Sequence, residues 1–356
     1  MCYDLVKNRE GFVVRNLNIP ERMEHYHTTG LSLSIIDACR INKIENFGVL
    51  EAGTHQKVNN HSIFSACSIS KLLTAVLVMV LAEQAVLDLD EDVNNSLISW
   101  KIPNNSLTKH KKVTLRNLLS HQAGLIDPKD SFMEQKSKQI PTMVEILTGR
   151  TMYCQSPIEV QYEPESDFQY SDAGFCIIQL LIEDITGKLF AEVIEELIFL
   201  PLKMTNSGFP KHISEEASGY YSCGHDQYGN TINRKYPIYP YDAAAGLWLT
   251  TSDLSQVVIE LMNALCGQSN IGLSASTARE VISSQGCRGE TGLGVFLDGA
   301  EISSLGWGIG FQCMMVAYPY MQRGLIIMTN ANSGVHQLKG IIGEIYDSYI
   351  RTYDNQ

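Results

Sequence analysis

Ser68 and Lys71 stand three positions apart at the head of Leu72–Ala82, a run that is apolar apart from Thr74. On a helix, residues so spaced share a face, with Cβ atoms about 5–6 Å apart. A serine at a helix N-terminus sits at the positive end of the macrodipole, where an oxyanion is favoured. A lysine one turn further on, desolvated by the apolar residues behind it, can accept the hydroxyl proton. The chemistry open to such a pair is nucleophilic attack on a carbonyl. The same spacing recurs at Ser106 and Lys109, but its neighbours are Asn, His and Lys and no apolar run follows. That copy reads as a solvated surface pair.

Tyr170-Ser171-Asp172 is the second signal. A phenol facing a serine–lysine pair can carry a proton to the leaving group, its phenolate stabilised by the nearby ammonium. Tyr228-Gly229-Asn230 and Tyr353-Asp354-Asn355 match the same short pattern. Tyr228, however, lies in a polar turn and Tyr353 is the fourth residue from the end. Only Tyr170 directly precedes a strongly amphipathic segment, the rigid support a reacting group needs.

The elements that must hold these residues follow from periodicity. Leu31–Ile36 and Phe47–Leu50 read as strands, with the polar Asn42–Asn46 stretch as the turn between them. The Leu72–Ala82 run reads as a buried helix. A short helix is expected over Val113–Ser120 and a polar, exposed stretch over Asp127–Gln139. Ala173–Ile185 presents Phe175, Ile178, Leu181, Ile182 and Ile185 on one helical face and is stopped by Thr186-Gly187. Residues 236–241 read as an extended crossing, Thr251–Leu254 as a helix start, 292–330 as glycine-rich strands and Gln337–Arg351 as a closing helix. The expected fold class is α/β (α+β): an antiparallel sheet flanked by N- and C-terminal helices, plus a helical subdomain. Residues 1–75 and 240–356 would form the α/β body and 76–239 the mainly helical part.

Composition narrows the function classes. The chain has 356 residues, 44% hydrophobic and 19% charged, enough for a sizeable core. A net charge of −12, with no basic run beyond Lys109–Lys112, argues against nucleic acid as a partner. Nine scattered cysteines without a C-x-x-C suit reduced thiols. No apolar run follows a basic start, and 11 residues at Leu72–Ala82 fall short of the roughly 20 a membrane span requires. The expectation is a cytoplasmic protein acting on a small-molecule acyl substrate, with no membrane, metal or cofactor.

With these residues in view, the chain resembles the serine β-lactamase-like and penicillin-binding-protein-like family of class C β-lactamases, carboxypeptidases, D-aminopeptidases, esterases and transacylases. The resemblance is carried by Phe64-Ser-Ala-Cys-Ser68-Ile-Ser-Lys71, Val113-Thr-Leu-Arg-Asn-Leu-Leu-Ser-His121-Gln-Ala-Gly124 and Phe168-Gln-Tyr170-Ser-Asp172-Ala-Gly174-Phe. Thr186–Phe190, Pro201–Met204, Ala244–Leu254 and Met328–Asn330 extend it, in the family's order, over about residues 30–350. It implies Ser68 as nucleophile, Lys71 as its activating partner, Tyr170 as proton shuttle, and an oxyanion hole made by two backbone N–H groups. One N–H would be that of Ser68, the other on the strand of the family's third motif.

That motif departs from the pattern. Aligning Gly310-Phe311 to the family's Gly-Phe puts Ser304 in the cationic slot, followed by Leu305 and Gly306, and makes Trp307 the N–H donor. The other register puts Trp307 in the slot, and the first is preferred. Either way no Lys or His is present, which favours a neutral ester, amide or thioester over a substrate carrying a carboxylate. Asp172 replaces the commoner Asn and would favour the Lys71 ammonium, shifting the base role toward Tyr170. Hydrolase and transacylase stay open, and the rival reading is a weakly active or inactive binding protein.

The remaining candidates have plainer readings. His121 reads as structural, and His25 and His27 lack a third ligand at useful spacing. Cys67 points about 100° from Ser68 on a helix and reads as a small packed hydrophobe. Trp248, Phe311, Trp307 and Tyr221 read either as an aromatic substrate wall or as packing.

Overall fold

The computed structural model describes residues 17–350, apart from 135, 137, 138, 215, 216 and 218. Six antiparallel strands form the main sheet in the order β2-β1-β8-β7-β6-β5. They are β1 (Gly30–Asp37), β2 (Arg40–Gly48), β5 (Phe296–Asp298), β6 (Glu301–Gly308), β7 (Phe311–Tyr318) and β8 (Arg323–Thr329). Two short strands, β3 (Phe64–Ser65) and β4 (Trp248–Leu249), pair apart from it. The early β1 is hydrogen-bonded to the late β8, with Leu33 opposite Ile327. The expected antiparallel sheet with helices at both chain ends is thus observed.

Period-two alternation assigns each face of the sheet. Leu31, Leu33 and Ile35 of β1 join Met314, Val316, Leu325 and Ile327 in a cluster with Ile19 and Met23 of the Ile19–His25 helix and with Ile341, Ile342 and Ile345 of the Ile341–Ile350 helix. The other face of β1 carries Ser32 and Ser34. These lie buried against the Thr251–Leu265 helix, with Ser32 Oγ 2.9 Å from Thr251 Oγ1 and Ser255 Oγ donating to Ser34 Oγ at 2.8 Å. Cys313, Met315, Ile326 and Met328 pack from that face into the larger core around the Ser70–Glu83 helix. In that helix every residue from Ser70 to Leu81 is buried.

Three sequence expectations change. The first hairpin turns at Ala38 and Cys39, both at positive φ (50° and 54°), and Asn42–Asn46 lie within β2. A two-residue turn with both residues left-handed matches the twist of its strands, and β2 is a sheet edge whose polar side chains face water. The Asp127–Gln139 stretch is not uniformly exposed, since Phe132 is buried in the core. The closing helix starts only at Ile341, after a separate 3-10 turn at Gln337–Lys339 and an extended Gly340, and Arg351 lies outside the described residues. Among the described residues no helix is long and apolar enough to cross a membrane.

Candidate active site

Ser68 sits in a single 3-10 turn, Cys67–Ile69, which feeds the Ser70–Glu83 helix. Ser70 locks the turn: its Oγ donates to the Cys67 carbonyl at 2.6 Å and accepts the Leu247 N–H at 3.1 Å. Cys67 occupies the left-handed region, φ 48°, a conformation that costs a non-glycine residue energy and must be held by its surroundings. Its side chain is buried, as expected, and lies 3.5 Å from Ser65 Oγ.

One turn on, the Lys71 ammonium is almost wholly buried and makes three contacts. Nζ donates to Ser68 Oγ at 3.2 Å, to Asp172 Oδ1 at 2.5 Å and to the Ala244 carbonyl at 2.9 Å. The Tyr170 and Phe175 rings lie 4.9 and 5.5 Å from it, in cation–π range. Burial alone would depress the amine, but the Asp172 carboxylate and Tyr170 outweigh it and hold Lys71 above its ordinary value. It is an ammonium at neutral pH. Burial, aided by the Asp172 charge, holds the Tyr170 phenol above its ordinary value, and the Lys71 charge and hydrogen bonding with Lys71 and Ser68 offset only part of that rise.

Tyr170 ends the approach to the Asp172–Thr186 helix, whose N-cap Ser171 accepts the Gly174 N–H at 3.1 Å and whose C-terminus stops at left-handed Gly187. His121 is stacked on the Tyr170 ring, centroids 4.3 Å apart. Its Nδ1 accepts the Ser171 N–H at 3.2 Å, which leaves the ring proton on Nε2. Burial, with Lys71 nearby, pushes His121 down to about 3, so it is a neutral aromatic support, in line with its structural reading.

A narrow cavity of about 20 Å³, roughly one water's room, opens on Ser68, Lys71, His121 and Tyr170. Its far wall is the Thr291–Phe296 segment together with Ser304 and Leu305 of β6. β5 pairs only as far as Ser303, so beyond it this edge of β6 is free to run along the Ser68 turn. A Cβ on Gly306 would meet the Ala66 carbonyl oxygen at 2.3 Å, so only glycine permits that approach.

The structure therefore brings Ser68, Lys71, Tyr170, Asp172 and Ser304 together, with Gly306 against the turn. The Trp307 side chain is 44% exposed and points elsewhere, donating Nε1–H to Asn332. Trp248 and Phe311 do not line the cavity: both are buried and pack edge to face at 5.3 Å, each too deep in the core to meet a substrate. Ser106 lies exposed in a turn away from the cavity, Tyr228 is exposed, and Tyr353 falls outside the described residues. Sequence reasoning missed the Ala244 carbonyl, Phe175, the Thr291–Phe296 wall and Asp127, which grips the turn after Tyr170. Of these only Phe175 had a signal, its place on the helix face that Tyr170 precedes.

Comparison with known proteins gives the site its context. Penicillin-binding protein 4* of Bacillus subtilis is 26% identical over 51% of this chain and 38% of its own length. Protein flp of Staphylococcus aureus is 20% identical over 88% of this chain and 62% of its own. The chain thus spans less than two thirds of either. Among solved structures, EstCE1, a hydrolase with promiscuous acyltransferase activity, superposes with a TM-score of 0.74 at 19% identity, covering 93% of this chain and 96% of its own. The Beta-lactamase family model matches residues 16–342, nearly the whole described chain, and the chain belongs to the beta-lactamase family.

Proposed function

We propose that this chain is a serine acyl-transfer enzyme that works through an acyl-enzyme on Ser68, hydrolysing or transferring the acyl group of a small uncharged ester, amide or thioester. The observation that carries the reading is the buried Lys71 ammonium, 3.2 Å from Ser68 Oγ and fixed by Asp172 and the Ala244 carbonyl. Ser68 Oγ attacks the carbonyl carbon. Because Lys71 is already protonated, the Ser68 proton passes to Tyr170 in its phenolate form, which the Lys71 ammonium stabilises. The tetrahedral oxyanion is held by the backbone N–H groups of Ser68 and Trp307. Tyr170 returns the proton to the leaving group, and water or an acceptor nucleophile then releases the acyl group.

An uncharged substrate is favoured by the walls. Lys71 is the one cation among the described residues lining the cavity, and Asp172 already neutralises it. Ser304 stands on β6 where the resemblance puts a cation for a substrate carboxylate, and Val295, Phe296 and Leu305 add apolar wall. The relatives include a hydrolase with acyltransferase activity and penicillin-binding proteins, which is consistent with acyl transfer.

The test is intact-mass analysis with a fluorophosphonate and a panel of p-nitrophenyl esters, thioesters and D-amino acid amides. A single adduct on Ser68, absent in Ser68→Ala, is expected, with esters or thioesters turned over far faster than penicillins. Labelling that survives in Ser68→Ala removes the nucleophile. Absence of any adduct turns the fold into a binding scaffold, and efficient turnover of anionic penicillins contradicts the part given to Ser304.

A further inference from the structure

The segment from His121 to Asp127 holds the chain around Tyr170 at five points, four of them backbone amides and one the Ser171 hydroxyl. The His121 carbonyl accepts the Gln169 N–H at 2.9 Å, and His121 Nδ1 accepts the Ser171 N–H at 3.2 Å. Asp127 takes the other three. Its Oδ1 accepts the Ser171 hydroxyl at 2.7 Å and the Ala173 N–H at 3.1 Å, and its Oδ2 accepts the Asp172 N–H at 2.7 Å. These amides belong to the first turn of the Asp172–Thr186 helix, whose leading N–H groups have no partner within the helix.

Resting on the acyl-enzyme reading above, we propose that Asp127 is a positioning residue of the reaction, fixing through the backbone where the Tyr170 phenol and the Asp172 carboxylate stand relative to Lys71 and Ser68. Asp172 is bound at both ends: its amide to Asp127, its carboxylate to Lys71 at 2.5 Å. A shift of that amide is transmitted straight to the ion pair. Tyr170, two residues earlier, is stacked on His121 of the same clamping segment. A shift of about 1 Å in a reacting group is enough to cost on the order of 100-fold in rate.

The residue type is itself informative. Helix starts are usually capped by a neutral acceptor or by a carboxylate in water. Here a half-buried carboxylate is placed beside that of Asp172, and burial together with the Asp172 charge raises Asp127 above its ordinary range. What offsets this is acceptor capacity, since only a carboxylate has the lone pairs to take three donors in this geometry. Removing it leaves the Asp172 and Ala173 amides unpaired, a cost of about 1–3 kcal/mol for each that stays buried.

The experiment compares steady-state p-nitrophenyl acetate hydrolysis and fluorophosphonate labelling in the wild type, Asp127→Asn, Asp127→Ala and Asp253→Asn. Asp253 is the control: like Asp127 it is a carboxylate accepting a backbone and a hydroxyl donor, from Asn206 and Ser207 at 2.8 Å each, but it sits in the first turn of its own helix and the residues it holds do not line the cavity. In Asp127→Ala, kcat is expected to fall about 10- to 100-fold with KM nearly unchanged. Asp127→Asn, which keeps one acceptor oxygen, should recover part of the rate. Asp253→Asn should lose thermal stability and keep kcat. If Asp127→Ala does not fold, the Asn variant carries the comparison. Wild-type kcat in the Asp127 variants overturns the proposal, and so does an equal loss in Asp253→Asn. A wild type that forms no Ser68 adduct defeats the acyl-enzyme reading itself and this inference with it, a result distinct from either of the others.

Discussion

For single residues the issue is where the Ser68 proton goes, and Asp172 governs it. Its charge holds up both groups able to accept that proton, Lys71 and Tyr170. A base with a raised pKa becomes available only at higher pH, so the acid limb of the rate profile is displaced upward. Asp172→Asn keeps the shape and removes the charge. It should therefore move the acid limb of kcat/KM for a p-nitrophenyl ester to lower pH, by about one unit or more. Rates measured from pH 5 to 10 decide this, and a limb that stays put or moves upward contradicts the assigned role. The direction is the same whether Tyr170 or Lys71 takes the proton.

At the scale of elements, the site depends on β6 lying against the Ser68 turn, and Gly306 sets that distance. In Gly306→Ala the new methyl would fall 2.3 Å from the Ala66 carbonyl oxygen and 2.4 Å from Cys313 Sγ, so β6 or the turn must retreat. Overpacking of this kind costs about 1–3 kcal/mol. Both the urea midpoint and the rate of Ser68 labelling should fall, the rate about tenfold or more. A folded variant that labels at the wild-type rate would show that β6 does not shape the site. The elements also show where sequence patterning is reliable. The Leu72–Ala82 run and the amphipathic stretch after Tyr170 were legible because helical burial is written in local periodicity. The first hairpin was misplaced because Asn42–Asn46 look like a turn, whereas the chain turns on Ala38 and Cys39, residues with no strong turn preference.

In the whole molecule, the sheet separates two apolar layers. The candidate site lies on the side of the Ser70–Glu83 helix, and the Ile19–His25 and Ile341–Ile350 helices cover the other. Arg22 and Tyr26 both bond Glu344, tying the two terminal helices together. Ile345, fully buried in that layer, is the place to separate stability from catalysis. Ile345→Ala should cost about 2–5 kcal/mol by leaving a cavity. It should leave the pH dependence of ester turnover in the folded enzyme unchanged. A thermal melt with a pH–rate series checks both, and a moved acid limb would mean that the two layers are coupled.

What the sequence determined by itself was the part of the site that obeys a local rule. A serine three residues before a lysine at the start of a buried helix must share a face with it, and Tyr170 directly before an amphipathic helix must be rigidly carried. Tertiary structure alone decided which distant groups complete the site: the Ala244 carbonyl, 173 positions from Lys71, and Asp127, 45 positions from Asp172. It also put Trp248 and Phe311 into the core and brought Ser304 to the cavity. The reason is physical. Helical periodicity fixes neighbours one turn apart, whereas a backbone carbonyl or a capping carboxylate is chosen by how whole elements pack, and no spacing along the chain records that choice.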